Sequence, residues 1–163
     1  MLNKFKKIMI IIIIILIGIM TGCKSGVRFK VDYHGRGRVG YGRDISMFSS
    51  LDELKDFCVN RNSDTFNEEG EFYMHEINQK LRTFDENFFN DKNLIIYEYD
   101  SGHKQKMVIR SMKIVDSTLV ITVRENYEVG AYYDIGFYRT MFIVVDKDDV
   151  LGIKNIEVKV KEK

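Results

Sequence analysis

Hydrophobic and polar positions change period several times along this chain. Ile8 to Met20 is an unbroken apolar run of 13 residues, interrupted only by Gly18. Val27-Arg28-Phe29-Lys30-Val31-Asp32-Tyr33 alternates apolar and polar, the period of a strand with one buried face. The period then lengthens. Leu51, Leu54 and Phe57 fall on one helical stripe with Cys58 at its edge. Ser50-x-x-Glu53 is a capping box ahead of that stripe, so a helix is predicted from Leu51 to Arg61. Glu71 to Leu81 reads as a second helix with a less regular stripe, and His75 as a surface or partly packed side chain on it. Phe84 to Asn93 reads as a helical turn that pins two aromatics inward. Strands follow. Leu94 to Tyr99 opens on consecutive apolar residues, which predicts a central position. Met107–Val115 and Leu119–Arg124 are joined through Asp116-Ser117 as a tight hairpin. Phe137–Val145 and a last strand from Ile153 or Asn155 to Val160 complete the set, after a longer loop from Glu125 to Gly136. Helix and strand signals are segregated, without βα alternation. This predicts one α+β domain over 27–163: an antiparallel sheet of five to six strands with two packed helices, preceded by a signal helix.

The first apolar run has its own reading. Lys4, Lys6 and Lys7 precede it, and small residues follow it at Thr21-Gly22. A basic start, a short apolar stretch and a small-residue cut are the pattern of a secretory signal. As a helix the run extends about 20 Å at ~1.5 Å per residue, against the roughly 30 Å of a bilayer core. Met20-Thr21-Gly22-Cys23 resembles the lipobox of bacterial lipoproteins. The resemblance implies cleavage between Gly22 and Cys23. It also implies a diacylglyceryl group, with palmitate-class chains, on the Cys23 sulfur. Residues 1–22 are then a signal peptide and 23–26 a lipidated tether. The protein is expected at the cell membrane, lipid-anchored on the extracytoplasmic face. A short uncleaved anchor is the alternative, and it leaves the domain on the same side.

Charge and chemistry narrow the function classes. Without the three signal lysines the chain has 22 basic residues against 24 acidic ones. This gives no reason to expect nucleic-acid binding. With Cys23 lipidated, Cys58 has no disulfide partner and reads as a small buried hydrophobe. His34, His75 and His103 lie far apart, without metal-ligand spacing. An EF-hand counted from Asp146 would need glycine at its sixth position and glutamate at its twelfth; they are Leu151 and Glu157. Gly35, Gly37 and Gly40 match G-x-G-x-x-G, but no helix opens at Gly40 and no βαβ unit surrounds it. No serine-elbow or Ser-x-x-Lys motif is present. The expectation is a non-enzymatic protein with no cofactor and no metal site.

Two features remain as candidate contact surfaces. The glycine loop from Gly35 to Arg43 carries Arg36, Arg38 and Arg43 and no acid. It reads as a hairpin-like loop, or as a contact to the membrane or an anionic wall polymer. Tyr127, Tyr132 and Tyr133 cluster around the long loop. They read as core and edge packing, or as a partner contact, since tyrosine offers large area with one polar tip.

From Ser49 onward the order of features resembles the C-terminal domain of the PrcB family, bacterial envelope proteins named for a protease-complex subunit. The carriers are Ser50-Leu51-Asp52-Glu53-Leu54, then Phe84-Asp85-Glu86-Asn87-Phe88-Phe89 with Asp91-Lys92-x-Leu94, and Val144-Val145-Asp146-Lys147-Asp148-Asp149-Val150. Where that family has a Thr-Gly-Gly-Tyr-like turn, this chain has Asp100-Ser101-Gly102-His103. The resemblance implies a small α+β domain that works by contact with another envelope protein, an envelope protease being the partner class it points to. A small-ligand or sugar-binding lipoprotein is one alternative. A hydrolase using carboxylates that no motif marks is the other.

Overall fold

The structure, a computed structural model, describes residues 26–40, 44–101, 105–127 and 137–161. The segment expected to form a signal helix, Gly22 and Cys23 lie outside them. So do Arg43, Tyr132 and Tyr133. Among the described residues no helix is long and apolar enough to cross a membrane.

Among the described residues seven strands form two sheets, where a single sheet of five to six strands was expected. The first sheet takes β1 (Phe29–Arg36), β2 (Ile45–Phe48), β3 (Lys92–Ser101) and β6 (Phe137–Asp146) in the order β1-β6-β3-β2, all antiparallel. The second takes β4 (Gln105–Val115), β5 (Thr118–Tyr127) and β7 (Asn155–Lys161) in the order β4-β5-β7. β4 and β5 are antiparallel, but β7 runs parallel to β5, so the second sheet is mixed. Side-chain alternation says which face a strand buries and is silent about its partner. That is why one sheet and two sheets look alike along the chain.

The first sheet is the middle layer. On β3 and β6, Ile95, Tyr99, Met141, Ile143 and Val145 pack toward Met112, Leu119, Ile121 and Val123 of the second sheet. Leu94, Ile96 and Phe142 point the other way, into a cluster with Leu54, Ile77, Leu81, Phe84 and Phe89 of the helical layer. Covering on both faces explains the apolar run that opens β3. Each side chain so buried contributes roughly 1.5–3 kcal/mol relative to exposure.

Among the described residues the helical layer has three short α-helices, where two were expected: α1 (Leu51–Asn60), α2 (Glu76–Leu81) and α3 (Phe88–Asp91). Ser50 caps α1, its side chain accepting from the Glu53 amide at 3.2 Å. The Glu53 carboxylate reaches one residue further back than a capping box requires and accepts from the Ser49 amide at 2.7 Å. α2 is shorter than predicted. Residues 71–74 form turns, and His75 caps the helix, its Nδ1 accepting from the Ile77 amide at 3.4 Å. α3 brings Phe88 against Phe84 and Phe89, with ring centroids 4.7 and 4.9 Å away. Asp116 and Ser117 form the predicted hairpin turn with φ of 48° and 62°. Both values lie in the left-handed region that a two-residue hairpin needs.

One polar link ties the two sheets. The Met107 amide donates to the Tyr99 hydroxyl at 3.0 Å, and that hydroxyl lies 2.5 Å from His34 Nε2. Burial, followed by the nearby charges of Arg139 and Lys106, pushes the His34 ring down to about 4. The ring is therefore neutral in the folded protein at neutral pH, and its Nε2 shares with the Tyr99 hydroxyl one hydrogen bond whose direction follows the tautomer. The unfolded chain takes up a proton near pH 6.5, whereas the folded chain waits until about pH 4. The stabilisation is full above pH 6.5 and is lost as pH falls toward 4. Allowing for the ring's partial exposure, the native protein should lose about 1 kcal/mol more than His34→Gln between pH 7.5 and 5.0. Urea midpoints of both proteins at the two pH values measure this. Equal losses would remove His34 as the cause.

Candidate functional site

A cleft of 640 Å³ lies between the glycine loop and the turn segment that leads into α2. Gly37, Arg38 and Gly40 form one side; Asn62, Ser63, Asp64, Phe72, His75 and Asn78 are among the residues of the other.

The glycine-loop side is pinned at Gly37 and Val39. The Gly37 amide donates to the Tyr138 carbonyl at 2.8 Å, and the Thr140 hydroxyl donates to the Gly37 carbonyl at 2.8 Å. Val39 is fully buried among the helical-layer residues, and its amide donates to Glu98 Oε1 at 2.6 Å. Gly37 and Gly40 take φ of 111° and 64°, a region that side chains with a Cβ rarely adopt. The Arg38 guanidinium lies over the Tyr138 ring, 4.5 Å from its centroid. The described part of the glycine loop is thus a built wall, not a free hairpin tip.

Glu98 is the hidden support of this wall. It sits on the helix-facing side of β3, two residues after Ile96, and is 5% exposed. Its second carboxylate oxygen accepts from Arg61 Nη1, just past the end of α1. The Arg61 guanidinium also stacks on Phe57 at 4.3 Å. Burial pushes the Glu98 carboxyl up, opposed by the Val39 amide and by Arg61. One ion pair therefore joins the middle sheet, α1 and the glycine loop. Its signal was in the sequence: Leu94, Ile96 and Glu98 share a parity, so an acid stood on a face that was otherwise buried.

The opposite side is stitched by polar side chains where the apolar stripe fails. Thr65, fully buried, donates its hydroxyl to Asn78 Oδ1 at 2.8 Å, and Asn78 Nδ2 donates to the Phe72 carbonyl at 2.8 Å. Asp64 Oδ2 accepts from the Phe72 amide at 2.9 Å. Arg82 donates to the carbonyls of Thr65 and Tyr73, both at 2.9 Å, and lies 3.7 Å over the Tyr73 ring. These bonds explain why 71–74 turns rather than continuing α2 backwards. They also hold Phe72 outward, 56% exposed at the cleft, with Met74 69% exposed beside it in sequence. The cleft thus offers amide, hydroxyl and carboxylate groups together with an apolar contact.

The residues singled out from sequence are distributed unevenly. Arg38 lines the cleft, and Arg36 lies on β1 opposite Arg139. Tyr127 ends β5 in register with Gln105. Cys58 is a free thiol, 1% exposed, and burial pushes it up to about 11, so it behaves as a packed hydrophobe. Among the described residues no group of histidine, cysteine and carboxylate side chains is placed to hold a metal ion. Compared with known proteins, the chain matches no family model, no curated protein and no solved structure.

Proposed function

We propose that this protein is a lipid-anchored extracytoplasmic lipoprotein and a non-enzymatic binding module, and that the cleft receives an exposed segment of another envelope protein. The observation that carries this reading is the cleft itself: a rigid glycine-loop wall faces a polar-stitched wall that presents Phe72 to solvent. Backbone and side-chain donors and acceptors beside one exposed aromatic suit an extended segment with an apolar anchor. The anchor part of the proposal rests on Gly22-Cys23 and the basic, apolar segment before them. The PrcB-like order of elements supports contact with an envelope protein, a protease being the first class to test.

A photo-crosslinking residue at position 72, in the full chain expressed in intact cells, tests the reading. A defined protein adduct is expected from position 72 and none from position 151, which is also exposed but lies far along the chain at the turn before β7. A second reading has its own observation: the volume and the polar side chains of Asn62 and Glu71 at the cleft also suit a small polar ligand such as a sugar. No adduct at position 72, together with saturable thermal stabilisation by a sugar, would replace the first reading with the second.

A further inference from the structure

We infer that the outer face of the three-stranded sheet rests on an anionic membrane surface, which turns the cleft away from the bilayer. The inner face of this sheet packs on the middle sheet through Leu119, Ile121, Val123 and their neighbours. The outer face has no layer over it among the described residues. Its rows follow from the register. Lys113, Val120 and Glu157 lie side by side; so do Ser111, Thr122 and Lys159, and then Val108, Arg124 and Lys161.

Four cations stand on these rows against one acid, Glu157, whose carboxylate lies 3.6 Å from Lys159. Arg110, the extra residue at the bulge in β4, is exposed beside them. Arg124 and Lys161 are direct neighbours on parallel strands. Like charges in register weaken a sheet unless something neutralises them. Val108 and Val115, 37% and 51% exposed, add apolar surface among the cations. Cations interspersed with small aliphatic and hydroxyl side chains suit the headgroup region of an anionic bilayer. This concentration of positive charge stands out in a chain whose residues after Gly22 carry more acids than bases.

The tether gives the second, independent argument. The Val27 amide donates to the Met112 carbonyl at 2.8 Å, and Val27 is buried in the core between the sheets. The chain is therefore fastened at the free edge of β4, beside Met112, from Val27 onward. Only three residues, Lys24, Ser25 and Gly26, separate it from Cys23, a reach of at most about 14 Å over four Cα steps. An anchor at Cys23 brings β4 to the bilayer and leaves the helical layer, on the far side of the middle sheet, furthest from it. This step rests on the lipid-anchor reading above. The charge pattern of the sheet does not.

The full chain, incorporated in vesicles, tests the face. A fluorophore is placed at Ser111→Cys on the outer face, and at Val59→Cys, 70% exposed on α1, as the control. Quenching is read from headgroup-nitroxide lipids in vesicles of phosphatidylcholine with or without 30% phosphatidylglycerol (about that fraction suffices for a negative surface). Quenching at position 111 is expected to rise several-fold with phosphatidylglycerol and to fall with salt. It should also fall when Lys113, Arg124 and Lys161 are all changed to serine. Position 59 is expected to stay unquenched throughout. Equal quenching at the two positions would overturn the proposal. So would loss of the difference on adding a soluble anionic wall polymer without any phosphatidylglycerol dependence, which would assign the face to the polymer. Flotation of the chain with pure phosphatidylcholine vesicles reads the anchor alone. A chain that fails to float there but is recruited and quenched at position 111 by phosphatidylglycerol would refute the anchor and uphold the face.

Discussion

Gly40→Ala is expected to destabilise the protein by about 3–5 kcal/mol and to dismantle the cleft wall. At φ 64° an alanine costs roughly 1–2 kcal/mol before any contact is considered. Its Cβ would stand 2.2 Å from the Arg61 carbonyl oxygen and 2.9 Å from the carbonyl carbon. Those are backbone atoms at the end of α1, and they yield only if the helix end moves. Moving it breaks the Arg61–Glu98 pair and uncovers Val39, and that additional loss sets the upper part of the range. Gly37→Ala is the control. Its φ of 111° is strained for alanine, but the nearest atom to the added Cβ is His75 Cε1 at 3.4 Å. The cost there should stay at about 1–3 kcal/mol, the backbone term alone. Urea unfolding of both variants decides the matter. A Gly40→Ala protein as stable as Gly37→Ala would mean that the loop does not pack on α1 as described.

Arg61→Ala should be nearly as damaging, at about 3–5 kcal/mol at neutral pH, because it leaves the Glu98 carboxylate buried with only the Val39 amide as a partner. The pH response separates this from simple loss of packing on Phe57. Burial already raises the Glu98 carboxyl, and removing Arg61 takes away a cause that lowers it. In the variant, folding therefore favours the protonated acid more strongly. The deficit should shrink as pH falls toward the raised value and be largest above it. Glu98→Gln keeps an oxygen for the Val39 amide but sets its NH2 against the Arg61 donors, so it too loses the pair, at about 2–4 kcal/mol. A deficit for Arg61→Ala that is the same at pH 5 and pH 8 would show that the ion pair is not its source.

What could be read along the chain follows the range of the interactions. Ser50 capping α1 and Asp116-Ser117 turning the β4–β5 hairpin are contacts between residues a few positions apart, and both were legible. So was the central place of β3, because Leu94, Ile95 and Ile96 can all be buried only between two layers. β2 was not, since four residues, Ile-Ser-Met-Phe, give too few alternations to establish a period. The parallel pairing of β7 with β5 was not, because it joins residues separated by the whole of β6. The cleft was least legible. Arg38 had been singled out for its charge alone. Thr65, Asn78 and Asp64 act through bonds to backbone atoms several residues away, and nothing in their own spacing announces them.

The position of β7 bears on how the molecule is assembled in time. β5 waits for its second neighbour while the chain travels through β6, in the other sheet, and returns. Until β7 arrives, β5 has one open edge beside Thr118 to Arg124, an edge able to pair with any passing strand. During synthesis or export from the N-terminal end, β7 can complete the basic sheet face only after β6 has entered the other sheet. The lysines at 154, 159 and 161 then serve as gatekeepers as well as surface charge, since a cationic strand is a poor partner for a copy of itself.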